Sequence, residues 1–306
     1  MPRKIIFTLL IIFIIASLSV FYAMNKRQKA PLVLLTDFGT KDGAVAAMKG
    51  VALNLAPNLV IHDLTHEIPA YNILEGAFRL QQTAPYWAAG TVFVCVVDPG
   101  VGTTRKSIML KTKANHYFVG PDNGLFTLVA ENEGIEEIRE ISAANRLPNS
   151  QNSYTFFGRD VFAYSGAKLA SEMIDFEEVG EQVADNQLLM LKYPKPSFAN
   201  GIVSGGIPVL DIQYGNVWTN IDVKTLNQLN LKIGDKLSIK IFENEKLIYK
   251  GILPYQNTFG EVKEGENLCY MNSLMNLSLG INMGSFSEKH NVFSGTEWRI
   301  EVGKGK

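Results

Sequence analysis

Residues Thr91–Arg105 read TVFVCVVDPGVGTTR. From Thr91 to Val97 every residue is β-branched, aromatic or otherwise apolar, without a charged interruption. That is the composition of a strand buried on both faces. Cys95, in the middle of the run, reads as a small buried hydrophobe. Asp98 ends it, and Pro99, Gly100 and Gly102 make a tight turn whose backbone can approach a ligand closely. Arg105 comes seven residues after Asp98, so the loop can fold its guanidinium back towards that carboxylate. A carboxylate at the carboxyl end of a buried parallel strand stands where open α/β sheets place their ligands. A turn-capping Asp paired with a surface Arg is the structural alternative.

The preceding sixty residues repeat the theme. Leu32–Leu35 is a short apolar run ending in Thr36-Asp37-Phe38-Gly39. Between Asp42 and Leu55, apolar Val45, Met48, Val51, Ala52 and Leu55 recur at helical spacing, and Pro57 stops the helix. Leu59–His62 predicts the next strand, ending in Asp63-Leu64-Thr65-His66. Asn72–Thr83 is helical again, with Ile73, Leu74, Ala77, Phe78 and Leu80 on one face and Glu75–Arg79 as an i,i+4 pair. Strands alternating with helices imply a parallel sheet with right-handed crossovers. Asp37, Asp63 and Asp98 are then expected at one edge of it, although Asp63 reads equally well as the N-cap of the following helix.

Beyond Arg105 the pattern changes. Ser107–Lys111 and His116–Val119 predict strands, Gly120-Pro121-Asp122-Asn123-Gly124 is a dense turn signal, and Leu125–Glu133 predicts a helix. Tyr154–Asp160 carries aromatics into a predicted helix over Val161–Ser171. Asn186–Asn200, with Pro194 and Pro196, reads as a linker. From Gly201 the chain predicts short strands at Ile207–Ile212, Leu237–Phe242, Lys246–Leu253, Leu268–Asn272 and Leu277–Ile281, with Gly or Asn turns between them, as in a small barrel or sandwich. The expected fold class is therefore α/β: an N-terminal α/β domain with a mostly parallel sheet over residues 31–195, and a C-terminal all-β barrel domain over 196–306.

The chain has 306 residues, 46% of them hydrophobic and 19% charged, with a net charge of -1. That balance gives no reason to expect nucleic acid as a partner. His62, His66, His116 and His290 form no metal-ligand spacing, and Cys95 and Cys269 form no disulfide framework. Ile5–Met24 is uncharged and flanked by basic residues on both sides. It is long enough to span a bilayer as an N-terminal membrane anchor, the alternative being a secretory signal cleaved on export. Positive charge on both flanks leaves the side of the membrane open.

Taken together, Thr36-Asp37-Phe38-Gly39, Asp63-Leu64-Thr65-His66-Glu67-Ile68, Val97-Asp98-Pro99-Gly100-Val101-Gly102-Thr103, Gly120-Pro121-Asp122-Asn123-Gly124 and Phe157-Gly158-Arg159-Asp160-Val161-Phe162 resemble, in order and spacing, the S-adenosyl-L-methionine hydroxide adenosyltransferases. These are relatives of the fluorinases and chlorinases. The resemblance spans about residues 31–303. It implies an α/β domain followed by a β-barrel domain, and a homotrimer with ligand sites between the N-domain of one subunit and the C-domain of the next. The implied reaction is an SN2 attack on C5′ of S-adenosyl-L-methionine, by water in the hydrolases and by halide in the halogenases, with methionine as leaving group. No metal or cofactor is implied, because the sulfonium is already a good leaving group.

By the same resemblance, Asp37 takes the two ribose hydroxyls, Tyr71 packs near the ribose, and Phe156 belongs with the substrate-binding residues. Asp211-Ile212-Gln213-Tyr214-Gly215-Asn216-Val217-Trp218 matches a substrate-binding motif in the C-terminal domain. There Asp211 would bind the methionine ammonium, Tyr214 would stack on adenine and Asn216 would hydrogen-bond it, with Trp218 closing the motif. Ser273 falls where a Ser contacts the methionine carboxylate. Of the hydrolases' Asp-Arg-His trio, Asp98 and Arg105 are the expected catalytic pair, whereas Phe157 occupies the His position and can neither donate nor accept a proton. Halogenases carry Tyr-Pro-Ala in place of Asp98-Pro99-Gly100, and a carboxylate there repels halide. The implied function is a hydrolase of S-adenosyl-L-methionine, with a non-catalytic, membrane-tethered protein binding that compound or adenosine as the alternative.

Overall fold

The computed structural model describes residues 30–305. Ile5–Met24, and with it the expected anchor or signal, lies outside the described residues. Among the described residues no helix is long and apolar enough to cross a membrane.

Strand β1 (Leu32–Thr36) runs parallel to β2 (Ile61–Thr65) on one side and to β3 (Val92–Val96) on the other. All five residues of β1 and all five of β3 are buried, as uninterrupted apolar strands covered on both faces must be. Alternation divides them between two cores. Leu32, Leu34, Val92 and Val94 face Met48 and Ala52 of helix α1 (Ala44–Leu55). Val33, Leu35, Phe93 and Cys95 lie in the core that contains Leu80 of helix α2 (Ile73–Thr83). Cys95 is fully buried, which pushes its thiol well above the usual range and leaves it inert.

The sheet continues through β4 (Ser107–Thr112), β5 (Tyr117–Pro121), β6 (Ile135–Glu140) and β7 (Gln182–Val183), in the order β2-β1-β3-β5-β4-β6-β7. β5 is parallel to β3, while β4, β6 and β7 pair antiparallel. Strand β6 is poorly visible in its sequence, IEEIRE, because only Ile138 is fully buried. Its place comes from pairing with β4 rather than from its own pattern. Helix α3 (Thr127–Glu133) follows the Gly120–Gly124 turn. The helix expected over Val161–Ser171 starts earlier, as a π-helical segment Gly158–Ala163 that runs into α4 (Tyr164–Ala170).

The structure corrects two expectations. Asp63 does not stand past the carboxyl end of its strand: it lies inside β2, opposite Leu34 of β1, and its carboxylate meets Lys49 Nζ at 2.6 Å and His66 Nε2 at 3.0 Å. Nor does it cap α2, whose N-cap is Asn72, accepting from the Glu75 N–H at 3.0 Å. The strand starts two residues later than its apolar run because β1 supplies the partners. His116, which reads as a strand or surface residue, is buried against Glu133 at 3.1 Å.

The C-terminal part folds as two antiparallel sheets around one core. One holds β10 (Val209–Asp211), β11 (Asn216–Asp222), β15 (Asn276–Ile281) and β14 (Asn267–Met271). The other holds β13 (Lys246–Pro254), β12 (Lys236–Glu243), β16 (Gly295–Lys304), β9 (Ile202–Ile207) and β8 (Ser197–Ala199). The connecting stretch is strapped down: Leu189 N–H donates to Asp122 at 2.9 Å, Leu191 N–H to Thr127 at 2.8 Å, and the Tyr193 hydroxyl to Glu131 at 2.6 Å. Across the junction, Arg79 of α2 donates to the Leu210 carbonyl at 2.9 Å, beside Asp211. Phe78, Leu128 and Val209 share a small core with Trp218 packed on it.

Candidate active site

The carboxyl ends of β1 and β3 carry the first group of site residues. Asp37 follows β1 directly. Its backbone N–H donates to the Val96 carbonyl, and its Oδ2 accepts from the Tyr71 N–H at 3.0 Å. Tyr71 holds a left-handed backbone, φ 71°, with its ring largely exposed. For a bulky L-residue that conformation is strained, and such strain concentrates at functional loops. His66 locks the same turn from beneath. Its Nδ1 meets the Thr36 hydroxyl at 2.8 Å and its Nε2 meets Asp63, while Gly39 N–H donates to its carbonyl at 2.7 Å.

Asp98 stands just past β3. Its Oδ1 accepts both from Arg105 Nη1, in a short contact, and from the Gly100 N–H at 3.1 Å. The side chain is 7% exposed and Arg105 27%, a half-desolvated, charge-assisted pair of the stronger kind. Oδ2 has no protein partner among the described residues and is not sealed off from solvent. It is the oxygen available to a water.

Asn123 is a residue whose role the sequence left unread. It is 5% exposed; its side-chain NH₂ donates to the Val97 carbonyl at 2.8 Å and its Oδ1 accepts from the Leu125 N–H at 3.1 Å. It thereby fixes the backbone immediately before Asp98. The signal was present in the Gly120–Gly124 turn, whose Asn serves the neighbouring strand as well as its own turn.

The Tyr154–Asp160 stretch forms the wall beside this turn. Gly102 approaches the Tyr154 backbone so closely that a Cβ would lie 2.5 Å from its carbonyl oxygen. The Phe156 ring meets Phe38 edge-on at 6.0 Å and carries the Arg159 guanidinium 4.9 Å above it. Phe157 packs against the α1-side core with Arg146 4.9 Å over its face. None of the histidines is placed to stand in for it: both ring nitrogens of His66 and of His116 are engaged, His62 stacks on Trp87, and His290 packs on Tyr249 and Phe286. Among the described residues, no three His, Cys, Asp or Glu side chains gather as a metal-binding group requires.

The second group lies in the C-terminal domain. Asp211, Tyr214, Asn216, Trp218 and Ser273 all line one cavity of about 820 Å³, in the range of small-molecule sites. The β10–β11 hairpin supplies the first four and the β14–β15 turn supplies Ser273. Asn216 donates to Asp211 Oδ2 at 3.0 Å. One polar atom of this wall, the acceptor Asn216 Oδ1, is buried without a partner, while burial raises the Tyr270 pKa and a hydrogen bond from the Trp218 indole counters part of that rise. The Tyr214 ring is 67% exposed. Asp211 and Glu288 are the ionisable acids in the lining, which includes no Lys, Arg or His. Asp37, Tyr71, Asp98, Arg105 and Phe156 do not line this cavity, so within one chain the two groups of predicted residues lie apart.

The fold is an α/β part with Asp37 and Asp98 at the carboxyl ends of its strands, joined to an all-β part whose cavity is lined by acids and aromatic rings. Residues 32–180 match the SAM hydroxide adenosyltransferase N-terminal domain and residues 205–299 the C-terminal domain of the same family. The chain belongs to the SAM hydroxide adenosyltransferase family. It is 36% identical over 273 residues to a (R)-S-adenosyl-L-methionine hydrolase of Methanocaldococcus jannaschii, covering 85% of this chain and 92% of that one. It is 26% identical over 302 residues to a fluorinase of Actinopolyspora mzabensis, covering 90% and 99%. A crystal structure of an uncharacterized conserved protein from Thermotoga maritima superposes with a TM-score of 0.81 at 34% identity, covering 89% of this chain and all of that one.

Proposed function

We propose that this protein hydrolyses S-adenosyl-L-methionine to adenosine and L-methionine. The observation that carries the reading is the Asp98 carboxylate at the tip of β3, held through Oδ1 by Arg105 and Gly100 with Oδ2 left for a water. Oδ2 accepts from that water and aims its lone pair at C5′. The new C5′–O bond forms as the C5′–S bond breaks, methionine leaves with the bonding pair, and the water's proton passes through Asp98 to solvent. Most of the acceleration comes from alignment and from stripping solvent off the nucleophile. A carboxylate in this position disfavours halide for the reason of charge alone.

The C-terminal cavity is suited to the same ligand. An adenine amino group can donate to Asn216 Oδ1, satisfying that orphaned atom, and Tyr214 offers a face for stacking. The acidic lining favours a ligand with a sulfonium and an ammonium over a neutral nucleoside. Asp37 has acceptor capacity for the ribose hydroxyls. The two groups of residues are to be joined by a second copy of the chain, the Asp37–Asp98 edge of one subunit closing the cavity of the next, in a homotrimer. A mass other than three chains in light scattering removes that arrangement.

Phe157 favours a second reading, in which the ligand is bound without turnover, since loss of an acid–base group typically removes roughly 10²–10⁴-fold of rate. Incubation with S-adenosyl-L-methionine separates the two. Hydrolysis predicts adenosine and methionine in equal amounts, with kcat at least about 100-fold lower in Asp98→Asn. Binding alone predicts calorimetric heat without adenosine. An N-terminal anchor over Ile5–Met24 would bring either activity to a membrane surface; a reporter fused after Lys306 reads which side the domains occupy.

A further inference from the structure

Gly100 leaves no room for a side chain. A Cβ there would lie 2.5 Å from Nη2 of Arg105, 2.8 Å from its Cζ and 2.9 Å from its Nη1, far inside the ~3.5–4.0 Å of an ordinary contact. Backbone conformation is not the reason, because Gly100 is not among the residues with positive φ. The space is needed for the guanidinium. Gly102, two residues on, differs in kind: it has φ 78° and abuts the Tyr154 backbone, so a side chain there has to move the chain itself. At Gly100 the obstructed group is the free end of a flexible, 27% exposed side chain, which can swing into solvent while the fold stays intact.

We infer that Gly100 is a positioning residue for the hydrolysis proposed above, on which this inference rests. Its missing side chain is the seat that holds the Arg105 guanidinium against Asp98 Oδ1. The same residue donates its N–H to that oxygen at 3.1 Å, so it shapes the acid from two sides. A methyl group at this position parts Arg105 from Asp98, and the carboxylate loses the fixed orientation that leaves Oδ2 facing the water.

The test is a double-mutant cycle on the full chain with S-adenosyl-L-methionine, comparing wild type, Gly100→Ala, Arg105→Ala and the double variant, together with the crystal structure of Gly100→Ala. The expected result is a tenfold or greater fall in kcat for each single variant, KM within about twofold, and no further fall in the double variant. Melting temperature in Gly100→Ala is expected to stay within about 2 °C of wild type. An unchanged kcat in Gly100→Ala overturns the inference, and so do losses that multiply in the double variant. If wild type forms no adenosine, the hydrolase reading falls by itself, and the crystal structure still decides the seat: a guanidinium remaining on Asp98 beside Ala overturns it, and a displaced one upholds it.

Discussion

The guanidinium of Arg146 lies over the face of Phe157, 4.9 Å from the ring centre. It is held there by the loop it spans, donating to the Ser150 carbonyl at 2.8 Å and to the Ser153 carbonyl in a short contact. The aromatic ring that stands where the hydrolase resemblance implies a His is therefore supported by a cation, not merely left in a gap. Cation–π contacts of this kind contribute about 0.5–1 kcal/mol at exposed sites and more when desolvated.

Phe157→His places an imidazole under that fixed positive charge, which disfavours the imidazolium and keeps the ring a neutral base near pH 7. Turnover of S-adenosyl-L-methionine is expected to rise tenfold or more. Removing the cation as well, in Phe157→His with Arg146→Ala, is expected to move the acid limb of the kcat profile to higher pH. A profile identical in the two variants contradicts the placement.

Trp218→Phe removes the indole N–H that hydrogen-bonds to Tyr270 in the cavity wall. The free protein is expected to lose about 0.5–1.5 kcal/mol of stability. Affinity for S-adenosyl-L-methionine is expected to fall about fivefold to tenfold as that wall loosens. Calorimetry and thermal unfolding on the same sample read both.

Tyr71 combines a left-handed backbone with a side chain 71% exposed. Tyr71→Gly relieves about 1–2 kcal/mol of conformational cost and forfeits little packing. The melting temperature is expected to hold or rise, while KM increases as the aromatic wall beside Asp37 disappears. A marked fall in melting temperature would show that the ring is structural.

His116 and Glu133 make a buried pair whose stabilisation has two pH limits. The hydrogen bond that His116 donates to Glu133 raises the His116 pKa against the opposing effect of burial, with the Trp87 carbonyl adding to the rise. Burial pushes Glu133 up, but hydrogen bonds from His116 and Thr112 outweigh it and leave its pKa below the usual range. The His116 contribution is complete below the ordinary histidine pKa and is lost as pH rises through the raised value. The Glu133 contribution is complete above the ordinary glutamate pKa and is lost as pH falls through the lowered one. Stability is thus greatest between the ordinary values of the two groups. Glu133→Gln lets His116 shed its proton, so it is expected to cost only on the order of 1–2 kcal/mol in urea unfolding at pH 6 and to flatten both limbs.

The α/β core and its acid-bearing edge could be read from the chain alone because they rest on local signals. Apolar runs such as Leu32–Leu35 and Thr91–Val97 specify doubly covered strands, and Asp37 and Asp98 end them. Spacing alone placed Arg105 within reach of Asp98. The resemblance supplied the rest of the site list, and the residues of the Asp211–Trp218 hairpin do share a cavity with Ser273, which is far from them in sequence. Asp63 showed the limit of local reading, since the register of β2 against β1 moved it inside the strand.

Strand β6, the burial of His116 and the grip of Asn123 on Val97 were decided by tertiary structure. Each depends on partners brought close by pairing and packing rather than on neighbours along the chain. A sequence records which residue types are available and the period at which they recur, and that is enough to decide what is buried. It does not record which atoms meet, because hydrogen bonds and excluded volume act over ~3 Å and their partners here lie tens of residues apart.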